Sequence, residues 1–190
     1  MTEGNRLSAV TQRYLACFYD ILESMMNAMT AVKPTDSISA DWIAQMMPHH
    51  EAGIAMAQNI LQYTTQLPLQ QMAENMIEAQ MQSMAQMKDI ADRCAEHTNS
   101  PLERELYETW LRQIQQTMYT CMGRAPVSNS VNVNFLREMI PHHAGAIQMA
   151  RNALRFALCP ELVPMLKGIL IAQTEEFREM ERLLCRLERE

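Results

Sequence analysis

Residues that break helices or favour strands are scarce in this chain. Of its 190 residues only 5 are Gly and 8 are Pro, and aromatic residues make up 6%. Runs of β-branched and aromatic residues, which are typical of strands, do not occur. The commonest residues are Ala, Leu, Met, Gln, Glu and Arg, whose side chains lose little rotamer freedom in a helix. The composition therefore predicts an all-α protein.

Other missing features exclude several classes of partner. The net charge of −6 is spread along the chain, and no basic stripe for nucleic acid occurs. The longest apolar stretch, about residues 163–172, contains Lys167 and is too short for a membrane span. Met1–Arg6 is followed by no apolar run of the kind that export signals carry. We therefore expect no nucleic-acid partner, no membrane span and a cytoplasmic location for the sequence as given.

The cysteines show no recognisable pairing pattern. They are odd in number and contain no Cys-x-x-Cys pair, which excludes a fully paired disulfide framework and a zinc knuckle. The sequence therefore predicts reduced and mostly buried thiols. The residues concerned are Cys17, Cys94, Cys121, Cys159 and Cys185.

The sequence contains two copies of one unit. Pro48-His49-His50 recurs as Pro141-His142-His143, an offset of 93 residues. At this offset residues 7–97 align without gaps on residues 100–190, and 20 of the 91 aligned positions are identical. A gapless register across helices and loops indicates a tandem duplication and predicts a pseudo-two-fold axis.

The sequence predicts three helices in each copy. The first copy covers residues 1–98 and the second covers residues 99–190. Long antiparallel helices with short links pack as bundles. We expect the second and third helices of both copies to form one four-helix bundle within a single structural domain. The first helices would lie against the bundle or form a homodimer contact. The expected helix starts are Leu7, Ser39 or Asp41, Pro68, Pro101, Asn132 or Asn134, and Pro160.

The second helix of each copy carries a histidine pair within its apolar stripe. At 100° per residue His49 and His50 face the core with their apolar neighbours, and so do His142 and His143. The proline before each pair frees the carbonyl four residues earlier from its helical hydrogen bond. Such a carbonyl could hold one imidazole in a fixed tautomer.

Four buried imidazoles predict a metal site. Their burial costs free energy unless the ring nitrogens are satisfied, and the facing helices offer few polar partners. A metal ion bound by neutral imidazole satisfies the nitrogens directly. Methionines accompany the histidines, and imidazole with thioether suits Cu(I). The predicted ligands are His49, His50, His142, His143, Met46, Met56, Met139 and Met149.

Iron and zinc fit these residues less well. Di-iron sites in bundles need Glu on four helices, with Glu-x-x-His on two of them. Here Gln45 and Glu138 precede the first histidine of each pair by four residues. Zinc favours Cys or carboxylate beside His. The third helix of the second copy does supply one carboxylate, Glu176, where the first copy has Ser83. We add Glu176 to the ligand set and expect the two copies to differ in charge.

The first helices carry further soft side chains at spacings of three and four residues, which place them on one face. Packing in the core is the favoured interpretation, because methionine fills irregular gaps. The alternative is a second soft-metal site with a cysteine thiolate. The residues are Met25, Met26, Met29, Met118, Cys121 and Met122.

Two motifs connect the sequence with a known family. Met-[Met/Ile]-Pro-His-His-x-x-[Gly/Ala]-Ile-x-Met-Ala covers residues 46–57 and 139–150, and Gln-x-x-Glu-Phe-x-x-Met covers residues 173–180. Together they resemble the ferritin-like family catalogued as domain of unknown function 305. The resemblance implies a ferritin-like four-helix bundle and, for some members, a methionine-rich copper-binding protein of the bacterial envelope. It leaves an envelope or secreted location open if the given sequence lacks its leader.

We predict a protein that chelates or buffers copper. It is not expected to be an enzyme, because no nucleophile–base pair, phosphate loop or catalytic thiol motif occurs. One alternative is a ferritin-like oxidase using iron or copper, for which Glu138 and Glu176 are near the histidines. The other is a structural bundle or dimerisation module whose histidines form hydrogen bonds with Gln80 and Gln173.

Overall fold

The computed structural model describes residues 6–189 and contains six α-helices. Met1–Asn5, on which the expectation of no export signal partly rests, and Glu190 lie outside the described residues. No strand occurs in residues 6–189, and the all-α prediction is confirmed. None of the helices in this range has the length and apolar character of a membrane span. The helices are α1 (Ala9–Ala31), α2 (Ile38–Leu61), α3 (Leu67–Ala95), α4 (Pro101–Gly123), α5 (Val131–Ala153) and α6 (Leu162–Leu187).

Serine residues cap the free N–H groups at the start of four helices. The cap residues are Ser8 for α1, Ser37 for α2, Ser100 for α4 and Ser130 for α5. At Ser100 the cap is a complete capping box, because the Glu103 side chain bonds back to the serine backbone. These short polar side chains satisfy donors that have no partner within the helix.

The predicted caps of α2 and α5, at Ser39 or Asp41 and at Asn132 or Asn134, are wrong. Asp41 and Asn134 lie inside the first turns and bond backwards to the preceding links. Asp41 Oδ1 accepts hydrogen bonds from the backbone N–H and the hydroxyl of Thr35 at 2.9 and 2.7 Å. Asn134 Oδ1 accepts the equivalent pair from Ser128 at 2.8 and 3.2 Å. Both side chains therefore fix the links, and the caps fall on Ser37 and Ser130.

Prolines mark the helix starts less uniformly than expected. Pro68 lies in the first turn of α3, whereas Pro160 precedes α6, which begins at Leu162. Pro48 and Pro141 lie inside α2 and α5, and both helices continue through them. Each histidine pair therefore keeps its helical position.

α2 and α5 pack against each other at the centre of the molecule. α3 packs along α2, α6 packs along α5, and α3 also touches α6, so these four helices form the predicted bundle. The first helix of each copy lies against the bundle, with α1 packed on α2 and α4 packed on α5. This agrees with the first of the two positions expected for these helices. This arrangement places both histidine pairs in the core.

One pair of equivalent asparagines makes the same contact in both copies. The Asn59 side chain donates a hydrogen bond to the carbonyl oxygen of Tyr14 at 3.1 Å. The Asn152 side chain donates one to the carbonyl oxygen of Tyr107 at 3.0 Å. In each copy this bond ties the second helix to the first, as a tandem duplication requires.

The prediction of reduced cysteines is wrong for two of the five, and the prediction that most of them are buried is also wrong. Cys94 and Cys159 form a disulfide that joins the end of α3 to the link between α5 and α6. Cys121 and Cys185 are exposed, and Cys17 is half-buried. The sequence carries no signal for this pair, because the two cysteines are 65 positions apart and share no motif.

Candidate metal centre

Two reciprocal contacts join α2 and α5 at the centre of the bundle. Nε2 of His49 lies 3.2 Å from the carbonyl oxygen of His142, and Nε2 of His142 lies 3.1 Å from that of His49. The two rings stack with their centroids 3.7 Å apart. Each residue gives and receives the same contact, which is what a two-fold relation between the copies produces. The freed carbonyls of Ala44 and Arg137, which the sequence suggested for this role, receive no hydrogen bond from these rings.

The carbonyl contacts fix the tautomer of both central rings. A carbonyl oxygen only accepts hydrogen bonds, so Nε2 carries the proton and Nδ1 of the neutral ring carries a lone pair. Burial lowers the pKa of His49 and of His142 well below the usual range, which keeps both rings neutral. Neither Nδ1 atom has a hydrogen-bond partner within residues 6–189. The site therefore presents two unprotonated and unpaired nitrogens on stacked rings.

The second histidine of each pair contacts the third helix of its own copy. Nε2 of His50 lies 3.1 Å from Oγ of Ser83, and Nε2 of His143 lies 2.7 Å from Oε2 of Glu176. Burial, with a smaller contribution from His143, lowers the pKa of His50 to about 3. These contacts are equivalent in position but differ in charge, because only the second copy supplies a carboxylate.

The free nitrogens are distributed unequally between the two outer histidines. Nδ1 of His50 has no hydrogen-bond partner among the described residues. Nδ1 of His143 lies 3.2 Å from the carbonyl oxygen of Met139. Both nitrogens of His143 therefore already face an oxygen, whereas each of the other three histidines has one free nitrogen.

Side chains of α3 and α5 converge on Gly53 of α2. A Cβ atom added to Gly53 would come within 2.4 Å of Oε1 of Gln80 and 2.9 Å of Cε1 of His142. The absence of a side chain at Gly53 thus leaves room beside α2 for Gln80 of α3 and His142 of α5. Neither amide atom of Gln80, nor Oε1 of Gln173, has a hydrogen-bond partner in the described part of the chain. The hydrogen bonds that the structural alternative expected between these glutamines and the histidines are not formed.

The predicted methionine ligands all lie in the core on the histidine-bearing helices. Met46, Met139 and Met149 are 0% exposed, and Met56 is 1% exposed. Within residues 6–189, the histidine cluster holds no set of three His, Cys, Asp or Glu ligand atoms that all lie within 4.8 Å of one another. An ion bound here without rearrangement would therefore need thioether or amide atoms to complete its coordination.

The buried carboxylate of Glu138 is hydrogen-bonded to the first helix of the other copy and is not free to bind a metal ion. Its Oε2 accepts a hydrogen bond of 2.5 Å from the hydroxyl of Tyr14. Burial raises the pKa of Glu138 to about 8, although the Tyr14 hydrogen bond opposes the shift. The equivalent residue Gln45 instead accepts a hydrogen bond from the Gln115 side chain at 2.7 Å. Glu138 is thus engaged with α1, and the sequence did not predict this pair.

Most of the soft side chains on the first helices belong to the core. Met25, Met29, Met118 and Met122 are buried, whereas Cys121 is exposed to solvent. The favoured packing interpretation agrees with this arrangement. A different cluster of ligand atoms, formed by Cys94, Cys159 and Glu161, was missed because the fold alone brings these residues together.

The chain and its fold are similar to known proteins. The family model described as Domain of unknown function (DUF305) matches residues 21–91 and 103–184, one match in each copy. A crystal structure of a DUF305 fragment from Deinococcus radiodurans is 25% identical, with a TM-score of 0.58, and the match covers 81% of this chain and 99% of that one. No curated protein matches the chain.

Structures of CopM share the fold. CopM in the Ag-bound form, obtained by soaking, is 24% identical with a TM-score of 0.58, and the match covers 82% of this chain and 98% of that chain. CopM in the Cu(I)-bound form gives the same identity, TM-score and coverage of this chain, with 99% of its own chain covered. Because the family model matches most of the sequence in two successive segments, the chain belongs to the DUF305 family as a tandem pair of its domains.

Proposed function

We propose that this protein binds Cu(I) in the core of the bundle and thereby chelates or buffers copper. The observation that carries the proposal is the set of free Nδ1 atoms on His49, His50 and His142. A buried nitrogen without a partner costs free energy, and coordination of a soft metal ion would satisfy such a nitrogen without a proton. The low pKa of these rings keeps the lone pairs available at neutral pH.

The remaining donors at the site are also soft. Met46 and Met56 on α2, with Met139 and Met149 on α5, would supply thioethers, which select Cu(I) over harder ions. In the second copy Glu176, which is already hydrogen-bonded to His143, would supply a carboxylate oxygen to the ion. The proposal that the ion is monovalent follows from the single carboxylate at the site, since few formal charges would balance a divalent ion in the buried core.

The similar proteins support this proposal. CopM has been obtained with Ag, Cu(I) and Cu(II) bound, and its fold resembles the fold of this chain. We further propose chelation rather than an oxidase reaction. A di-iron oxidase of this architecture needs a Glu on each of four helices, whereas Ser83 occupies the position of Glu176 in the first copy and Glu138 is bound to Tyr14.

The test is an anaerobic Cu(I) titration against a chromophoric Cu(I) chelator, with the bound ions counted by native mass spectrometry. The test variant is His49→Gln/His142→Gln, because glutamine can still donate to the opposite carbonyl but lacks the imidazole lone pair. The matched control is His97→Gln, the same change at the one histidine outside the motifs. We expect wild type and control to bind Cu(I), and the double variant to lose at least one ion.

Other outcomes separate the alternatives. Absence of Cu(I) binding by the wild-type protein would contradict the proposal and favour the structural bundle. Sustained dioxygen consumption by the metal-loaded protein, with turnover exceeding one per bound ion, would favour the oxidase instead. A double variant that binds as much Cu(I) as the control would place the ion outside the central histidines.

A further inference from the structure

A second cluster of ligand atoms lies where the end of α3 meets the link between α5 and α6. The Sγ atoms of Cys94 and Cys159 and a carboxylate oxygen of Glu161 all lie within 4.8 Å of one another. The two sulfurs are joined as a disulfide, and Oε2 of Glu161 lies 3.1 Å from Sγ of Cys159. The cysteines are 0% and 2% exposed, whereas the Glu161 side chain is 45% exposed.

The carboxylate position is better explained by the reduced pair than by the disulfide. A disulfide sulfur has no proton to donate, so it forms no hydrogen bond with the oxygen of Glu161. A Cys159 thiol would donate one, and a metal ion would be ligated by both atoms. The approach of Oε2 of Glu161 to Sγ of Cys159 is thus favourable when the sulfurs are reduced, while Oε1 of the same carboxylate pairs with Arg93.

We propose that the reduced pair Cys94 and Cys159, together with Glu161, binds one Zn²⁺, and that the disulfide is the oxidised form of this site. A small-molecule thiol reductant opens the bond: the protein disulfide and two reductant thiols give two cysteine thiols and one reductant disulfide. Zn²⁺ then replaces the two thiol protons, which leave to solvent, and forms two zinc–thiolate bonds.

The geometry suits a tetrahedral ion with one open position. Two thiolates at Zn–S distances of about 2.3 Å lie roughly 3.8 Å apart in a tetrahedral site. The Cα atoms of Cys94 and Cys159 are 5.2 Å apart, a spacing that side-chain rotation can adapt to this separation. Glu161 supplies the third ligand, and its exposed side gives water access to the fourth position.

Charge balance favours Zn²⁺ over Cu(I) at this position. Two thiolates and one carboxylate carry three negative charges, and the positive charge of Arg93, 3.3 Å from Oε1 of Glu161, is shared with Asp89 at 3.2 Å. A divalent ion balances the two buried thiolates, whereas a monovalent ion leaves a net negative charge on them. Burial of uncompensated charge is costly, so the divalent ion is preferred.

The cluster is held by the start of α2 and is independent of the repeat. The hydroxyl of Ser37 donates to the carbonyl oxygen of Cys94 at 2.8 Å, and the backbone N–H of Cys159 donates to Oγ of Ser39 at 2.9 Å. The positions related to Cys94 and Cys159 by the offset of 93 are occupied by Leu187 and Gln66. The proposed zinc site is therefore independent of the histidine centre, and an experiment can disprove one of the two sites without affecting the other.

The test is a Zn²⁺ titration of the reduced and the oxidised protein under anaerobic conditions, followed by native mass spectrometry. We expect the reduced protein to retain one Zn²⁺ and the oxidised protein none at this site. His49→Gln/His142→Gln should leave this binding unchanged, whereas Glu161→Gln should raise the Kd at least tenfold. Failure of the reduced protein to retain Zn²⁺, or its loss only in the histidine variant, would overturn the proposal.

A second measurement avoids any change to the pair itself. Cys17→Ser/Cys121→Ser/Cys185→Ser leaves Cys94 and Cys159 as the only cysteines. With Cd²⁺ as the probe, thiolate-to-metal charge-transfer absorption should appear in the reduced form of this variant and disappear on oxidation. Its absence from the reduced variant would show that the two thiols do not bind metal together.

Discussion

The hydroxyl of Tyr14 donates a hydrogen bond to Oε2 of Glu138, and this bond ties α1 of the first copy to α5 of the second. The equivalent tyrosine, Tyr107, has a buried hydroxyl with no hydrogen-bond partner among residues 6–189. Both copies thus carry a tyrosine at this position, but within this range only the hydroxyl of Tyr14 has a hydrogen-bond acceptor. The difference arises because Gln45 stands where the second copy has Glu138, and Gln45 is bound to Gln115.

This asymmetry predicts different effects for the same substitution. Tyr14→Phe should lower the free energy of unfolding by about 1–3 kcal/mol, because it leaves the buried Glu138 without its donor. Tyr107→Phe removes a hydroxyl that has no partner and should change the stability by less than about 0.5 kcal/mol. Urea denaturation of both variants measures the two values. Equal losses would show that the Tyr14–Glu138 bond does not contribute to stability.

The apo protein should be most stable near pH 6.5. The folded-state pKa of Glu138 is raised to about 8 from an ordinary 4.5, so the folded protein keeps a proton that the unfolded chain loses, and stability falls as pH rises towards 8. The pKa values of His49, His50 and His142 are lowered from 6.5, so the unfolded chain binds more protons, and stability falls as pH drops below 6.5.

Denaturation midpoints of metal-free protein between pH 4 and 9 check this profile. Glu138→Gln introduces the residue that the first copy carries at this position. It should remove the decline on the alkaline side and steepen the rise between pH 4.5 and 6.5, because the folded-state proton of Glu138 opposes the histidine effect in that window. An alkaline decline that persists in the variant would assign it to a different group.

Gly53→Ala should disturb the ring stack. The added Cβ would lie 2.9 Å from Cε1 of His142 and 2.4 Å from Oε1 of Gln80, so both side chains must move. We expect a loss of about 1–3 kcal/mol in unfolding free energy, with weaker Cu(I) binding. Gly168→Ala is the control, because nothing lies within 4 Å of its added Cβ. That change should stabilise α6 by about 0.5–1 kcal/mol. A Gly53→Ala protein as stable as the control would mean that the stack adapts freely.

Reduction of the Cys94–Cys159 bond should destabilise the metal-free protein. The bond closes a loop of 65 residues, which corresponds to about 4 kcal/mol of lost unfolded-state entropy. Denaturation with and without a thiol reductant measures the difference, and Zn²⁺ added to the reduced protein should restore part of it. Cys94→Ser/Cys159→Ser should be insensitive to both additions. Unchanged stability on reduction would show that packing alone holds α3 to the link between α5 and α6.

The order of residues is enough to specify the helices and the positions of the histidines. Helix-forming residues, a gapless repeat and the 3.6-residue period place the Pro-His-His triplets in the apolar stripes of α2 and α5. The equivalence of Ser83 and Glu176, inferred from the offset of 93, reappears as equivalent contacts with His50 and His143. These features are local or periodic, and local patterns are expressed directly in the order of residues.

Which atoms of these residues are free depends on how the helices pack. The crossing of α2 and α5 places each central imidazole against the carbonyl of the other copy, and this contact leaves Nδ1 of His49 and of His142 unpaired. The Cys94–Cys159 bond depends in the same way on the packing of distant segments. Backbone carbonyls have no sequence signature, and a pair 65 residues apart has no periodic one, so such contacts are specified only when the helices pack.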